Sequence, residues 1–331
     1  MSQPDEIALS LERGDAAVAR GQLQDARRHF SSAVSIADEQ QDARIIRGLH
    51  GLGYVEERLG AYPEAEESFR RSVVIAQAAL GENHPLTARG LNHLALMVRL
   101  AGRITEARPL AEASLRISQA VQSGTDAAAA ENTLALIALD MGDGADALRR
   151  LKRVVSMTEG LHGERHPDVA AALGNLGDLY RQMEREADAL PLLQRALSII
   201  QETYGADSLA LATPLNNLAL CHDSMGDFVL AEPLYQRAIG IWRQSLDSAN
   251  PLVLGGELNL ANLYRKLGKY DIAEPMFLNI IALFEGEGAP NHPYVGLACR
   301  GLSDLMRWTD REEEADLLRE RADRIRTEQS T

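Results

Sequence analysis

Leu215–Ile241, LNNLALCHDSMGDFVLAEPLYQRAIGI, decides the fold. Leu218, Cys221 and Met225 recur at helical spacing until Gly226-Asp227 interrupts the run. Beyond that break Ala231, Leu234, Tyr235, Ala238 and Ile239 share one face, again at intervals of three and four. The stretch therefore reads as two helices joined by a tight turn. A pair this short cannot bury both apolar faces alone and has to stack on a neighbour.

The neighbours are copies of itself. Taking the small residue after the turn as anchor gives Ala26, Ala65, Ala107, Ala147, Ala189, Ala231, Ala273 and Ala315. Their spacing is 42 residues at five of seven steps, and 39 and 40 at the other two, which marks a repeat array. Five residues before each anchor stands a turn residue: Gly21, Gly60, Gly102, Gly142, Glu184, Gly226, Gly268 or Asp310. Glycine suits a reversal that needs positive φ, and Asp tolerates it. Glu184 suits it worst, so the fifth turn is expected to be strained or different.

Small residues at the helix crossing, a turn Gly, and an aromatic four residues past the anchor (Phe30, Phe69, Tyr235, Phe277) resemble a tetratricopeptide repeat. The period is longer than that family's usual one. LNNLA, the run Gly226–Ile239 and the recurring His-Pro dipeptide are similar to the kinesin light chain class of these repeats. The resemblance implies an all-α fold, a right-handed superhelical solenoid of about eight antiparallel helix pairs. It also implies a concave groove lined by the first helix of each pair, able to hold an extended peptide.

A repeat array grows by addition, so residues 1–331 are expected to form one solenoid domain. Residues 1–41 are the atypical first repeat, with Glu12, Asp15 and Arg20 on its leading helix; residues 42–293 are the core repeats; residues 294–331 form the C-terminal capping repeat. A polar end repeat is expected where one face has no neighbour. Between repeats, His84-Pro85, His166-Pro167, Asn250-Pro251 and His292-Pro293 place proline at a helix start, where its missing N–H costs nothing. Pro109, Pro191, Pro233 and Pro275 are expected near the first turn of the second helices, which tolerates them.

A net charge of -14 argues against a broad surface for nucleic acid or anionic membrane. No apolar run is long enough to span a bilayer, and the acidic N-terminus lacks a signal-peptide core. Cys221 and Cys299 lie nearly two repeats apart, too far to be bridged, which points to a reducing cytoplasm. Three lysines against abundant arginine point to a bacterial source.

No enzyme motif is present: HExxH, CxxC, GxSxG and the phosphate-binding Gly-rich loop are all missing, so neither catalysis nor a cofactor is expected. His84, His166 and His292 lie at least two repeats apart and cannot converge on one metal ion, so no metal site is expected. His222 reads as a satisfied core histidine. Nine residues before each turn the chain carries Gly51, His93, Thr133, Asn175, Asn217, Asn259 and Gly301. By the resemblance this row faces the groove, where an amide can both donate to and accept from a peptide backbone. The alternative is that the same amides bond neighbouring helices and only space the repeats.

Other groove positions, mapped the same way, include Arg47, Arg89, Arg99, Arg181, Asn262, Arg265, Lys266, Arg300 and, at the C-terminal end, Trp308. Opposed by fewer acids (Glu57, Asp140, Asp178, Asp223, Asp304), they give a groove that leans basic, although a solvated face of mixed charge would read alike. The expected function is a non-catalytic protein-protein adaptor holding an extended, acidic segment of a partner. The alternative is a scaffold that self-associates through convex or terminal surfaces. Neither a nucleic-acid nor a membrane partner is expected.

Overall fold

A computed structural model describes residues 5–286 and 290–328. The described residues form sixteen α-helices, one short 3₁₀ turn at Leu209–Leu211, and no strand. The helices pack consecutively as antiparallel pairs. The chain divides into two compact units, residues 1–161 and 162–331.

The first unit holds α1 (Glu6–Ala19), α2 (Leu23–Glu39), α3 (Ile45–Arg58), α4 (Tyr62–Leu80), α5 (Pro85–Leu100), α6 (Ile104–Ala120), α7 (Gly124–Asp140) and α8 (Gly144–His162), whose last residue falls past the division. The second holds α9 (Pro167–Gln182), α10 (Glu186–Tyr204), α11 (Ala212–Met225), α12 (Phe228–Ser245), α13 (Pro251–Lys266), α14 (Tyr270–Gly286), α15 (Pro293–Trp308) and α16 (Glu312–Glu328).

All eight anchor alanines are fully buried, each at 0% exposure. The aromatics four residues on fill the space beside them: Phe69, Tyr235 and Phe277 are at 0% and Phe30 at 2%. They fit because the facing first helix is bare there. A β-carbon on Gly53 would come 2.8 Å from Phe69 Cζ, and one on Gly301 would come 2.6 Å from Phe277. The sequence shows the aromatics, and it shows Gly301 in the row expected to face the groove, whereas in the structure that glycine receives Phe277. In the opening stretch Leu218 and Cys221 are buried, whereas Met225 is 44% exposed, because it lies at the end of α11 beside the turn.

Seven of the eight turns within helix pairs close in the same way. At the sixth, Asp227 N–H donates to the His222 carbonyl (2.9 Å) and Gly226 N–H to that of Asp223 (3.1 Å), with Gly226 at φ 81°. This is the helix ending in which a left-handed residue returns two N–H groups to carbonyls that would otherwise be unpaired. Glu184 adopts it at φ 57°; Asp310 has the same φ but keeps only the longer bond, from Arg311 N–H to the Met306 carbonyl (3.0 Å). The fifth turn therefore keeps the shape of the others and places an L side chain in the left-handed region, at a cost of about 1 kcal/mol. The inner prolines differ from expectation. Pro109, Pro191, Pro233 and Pro275 lie inside their helices, each the sixth residue, because each second helix begins directly after the turn.

His84, His166, Asn250 and His292 cap their helices through the side chain, accepting the N–H two residues on at 3.0 to 3.3 Å. The last pair covers the seventh: Phe277, Ile280 and Phe284 are buried in one cluster with Ala315, Ala322 and Ile325 of α16.

Candidate functional site: the first-helix face of the second unit

Asn175, Asn217 and Asn259 fall on α9, α11 and α13, three successive first helices. Between α9 and α11, with α10 as floor, is a cavity of about 250 Å³. Asn175, Thr213 and Asn217 contribute its polar side chains; Ala170, Leu193, Ala196 and Ile200 are among its apolar walls. The cavity exists because the chain is small here. A β-carbon on Gly174 would lie 3.7 Å from Asn217 Nδ2, so that amide sits over bare backbone.

The amides divide by partner. Asn259 Nδ2 donates to Asn216 Oδ1 at 3.2 Å, tying α13 to α11. Asn262 Nδ2 donates to the Leu258 carbonyl of its own helix at 2.9 Å. Asn217 is half-buried and makes no hydrogen bond to any described residue. A half-buried amide with no partner among the described residues has both its donor and its acceptor open to a ligand.

Most of the groove cations are already neutralised. Arg47 pairs with Asp15 (2.6 Å), Arg89 with Asp126 (3.2 Å), Arg99 with Asp140 (2.6 Å), Arg181 with Asp178 (2.7 Å) and Lys266 with Asp223 (2.8 Å). Arg265 on α13 differs. It is half-buried, its Nε is enclosed without a hydrogen bond, and it forms no ion pair among the described residues. The basic lean read from sequence thus reduces, in this unit, chiefly to Arg265. Arg300 lies at the end of the unit on α15, 3.8 Å from Asp323, and Trp308 is 71% exposed.

His93, on α5 of the first unit, stacks on Phe69 with centroids 4.9 Å apart and meets His50 edge-on at 6.2 Å. Burial pushes both imidazoles below their ordinary value, His50 down to about 4; Arg89 adds to both shifts and His93 to that of His50, while Asp126 opposes the shift of His93. His222 is buried, yet its Nδ1 has no hydrogen bond; Asp227 lies 3.6 Å away, so this core histidine is not fully satisfied as expected.

His162, His166 and Asp168 bring one ligand atom each within 4.8 Å of one another, a cluster the sequence reading missed because His162 lies outside the His-Pro pattern. His166 Nδ1 accepts the Asp168 N–H at 3.2 Å as the helix cap, so a metal at that nitrogen would break the cap. Cys221 and Cys299 are free and buried, and burial pushes both thiols up.

Sequence profiles of the tetratricopeptide repeat match residues 44–120, 126–201, 182–244 and 258–294. The chain belongs to the tetratricopeptide repeat family. Among solved structures it is similar to a putative kinesin light chain of Podosopora anserina with nearly identical repeats of this kind (TM-score 0.50, 21% identity, covering 60% of this chain and 94% of that one). It is also similar to a Rap protein complexed with Competence and Sporulation Factor (TM-score 0.67, 14% identity, 98% and 99%). A third is the apo quorum sensor NprR of B. thuringiensis (TM-score 0.67, 13% identity, 98% and 89%). At these identities the likeness is one of fold, in agreement with the kinesin light chain type of tetratricopeptide repeat read from the motifs. No curated protein matches by sequence. None of the described helices is long and apolar enough to cross a membrane.

Proposed function

We propose that the chain is a non-catalytic adaptor whose first-helix face in the second unit holds an extended segment of a partner protein. The cavity beside the unpaired amide of Asn217 carries this reading. Its volume of about 250 Å³ falls below the roughly 300–1,000 Å³ of small-molecule pockets, and suits one apolar side chain. First helices stand about 10 Å apart and an extended peptide rises about 3.3 Å per residue, so each helix meets about every third residue. Asn217 bonds the backbone, the cavity takes a side chain, and Arg265 receives a carboxylate further along. A related fold has been solved with Competence and Sporulation Factor bound, which supports ligand holding by this architecture. Two buried, protonated thiols suit a reducing cytoplasm, and the scarcity of lysine suits a bacterial source.

The test is selection of binders from a displayed library of random peptides, followed by titration of one enriched peptide. Ala171→Leu, which fills the cavity, and Asn217→Ala should each weaken binding at least tenfold while the circular dichroism spectrum is retained. Unchanged affinity in both variants would refute the site.

A further inference from the structure

The last helix pair repeats the cavity just described, with one wall missing. Pro293, Gly296, Leu297, Arg300 and Ala322 line a cleft of about 210 Å³ on α15 and α16. Each stands three 42-residue periods after Pro167, Ala170, Ala171, Gly174 and Ala196 of the inner cavity. There the next first helix, α11, closes the space with Thr213, Pro214 and Asn217. At the last pair no described residue takes that place, and Leu297 is 48% exposed.

Helix α1 is the first helix of the first pair, and it carries the matching wall. Aligned on anchors Ala26 and Ala231, the residues corresponding to Thr213, Pro214 and Asn217 are Ala8, Leu9 and Glu12. Leu9 is 36% exposed. Glu12 is exposed and has no ion pair or hydrogen bond among the described residues. In the inner junction, the Gly174 β-position lies 3.7 Å from the Asn217 amide. The cleft puts Arg300 in place of that glycine, and α1 puts Glu12 in place of that asparagine. A second copy seated in the same register therefore brings a guanidinium onto a carboxylate. Arg300 is suited to receive it, since its side chain is 38% exposed and the one acid that pairs with it among the described residues, Asp323, is 3.8 Å off.

We propose that the chain associates head to tail, the α1 face of one copy entering the α15–α16 cleft of another, with Leu9 in the cleft and Glu12 on Arg300. Such a contact joins unlike surfaces, so it can add further copies. It is weak and salt-sensitive. Glu6, Ser10 and Arg13 stand on α1 where Leu211, Leu215 and Leu218 pack inside the array, which leaves little apolar area to bury and makes charge the main attraction. The contact is independent of the peptide-binding reading, and Asn217→Ala leaves it intact.

Sedimentation velocity of the 331-residue chain over a concentration series, at low and high salt, tests the proposal. Species larger than the monomer should grow with concentration at low salt and dissolve at high salt. Glu12→Arg and Arg300→Glu should each weaken association at least tenfold, and the chain carrying both should associate again to within about threefold of the parent. Circular dichroism confirms that each variant is folded. A parent that stays monomeric throughout, association unaffected by the single reversals, or a double reversal that fails to restore it would overturn the proposal.

Discussion

The first helices of the two units share one period and differ in what they present. In the first unit the face is filled: His93 lies flat on Phe69 and His50 meets its edge. In the second it is open: Gly174 leaves the Asn217 amide over bare backbone, beside a cavity. A repeat fixes where side chains stand. Whether a position becomes packing or a binding surface depends on the bulk of its neighbours one period away. The ring of His50 occupies the repeat position that Gly174 leaves bare in the second unit, and Arg47 stands where the second unit has Ala171.

The contrast should be largest in acid. His50 and His93 are held neutral in the fold, whereas the unfolded chain protonates them near 6.5. Between about 4 and 6.5 the unfolded state binds more protons, so stability is complete above 6.5 and falls as the pH drops through that window. At about 1.4 kcal/mol per pKa unit, His50 alone accounts for up to about 3 kcal/mol. Protection factors of the α3 and α5 amides, corrected for the slower intrinsic exchange in acid, should fall on going from pH 7 to pH 5, and the double variant His50→Leu, His93→Leu should lose that fall. An unchanged dependence in the variant would place the acid-sensitive groups elsewhere.

Next in size is a division among the asparagines. Asn217→Ala should cost about 1–3 kcal/mol of peptide affinity and leave the melting temperature nearly unchanged, because the free amide supports no internal bond. Asn259→Ala should do the opposite, losing about 1 kcal/mol of stability with its bond to Asn216. Calorimetric titration and thermal melts on both variants separate the effects. If both lose only stability, the second unit is as closed as the first.

The smallest effect tests the turn all repeats share. Glu184→Gly should stabilise the second unit by about 1 kcal/mol, because glycine reaches φ 57° without the β-carbon penalty. The offsetting loss is the extra backbone freedom glycine has when unfolded. A destabilised variant would mean the Glu184 side chain contributes more than its backbone strain costs.

The fold was legible because its determinants are local: Ala231 and its seven equivalents, the turn five residues earlier, and the prolines at helix starts all show in one dimension. The site was legible only in part. The period placed Asn217 and Asn259 in one row, but their difference rests on Asn216, a neighbour across the helix junction. Counting cations found a basic groove, yet the acids that neutralise Arg89 and Arg99 come from α7, the next first helix, at Asp126 and Asp140. Arg265 emerges as unpaired only when those distances are known. The cavity is a gap between small residues, and no motif records a gap.

The most direct measurement is photo-crosslinking with a selected peptide whose apolar anchor is replaced by a photoreactive analogue, followed by mass spectrometric mapping. The account predicts crosslinks within Pro167–Asn217, concentrated on the residues around Ala171 and Thr213, and their loss in Ala171→Leu. Crosslinks confined to second-helix surfaces outside the cavity or to the first unit would contradict it.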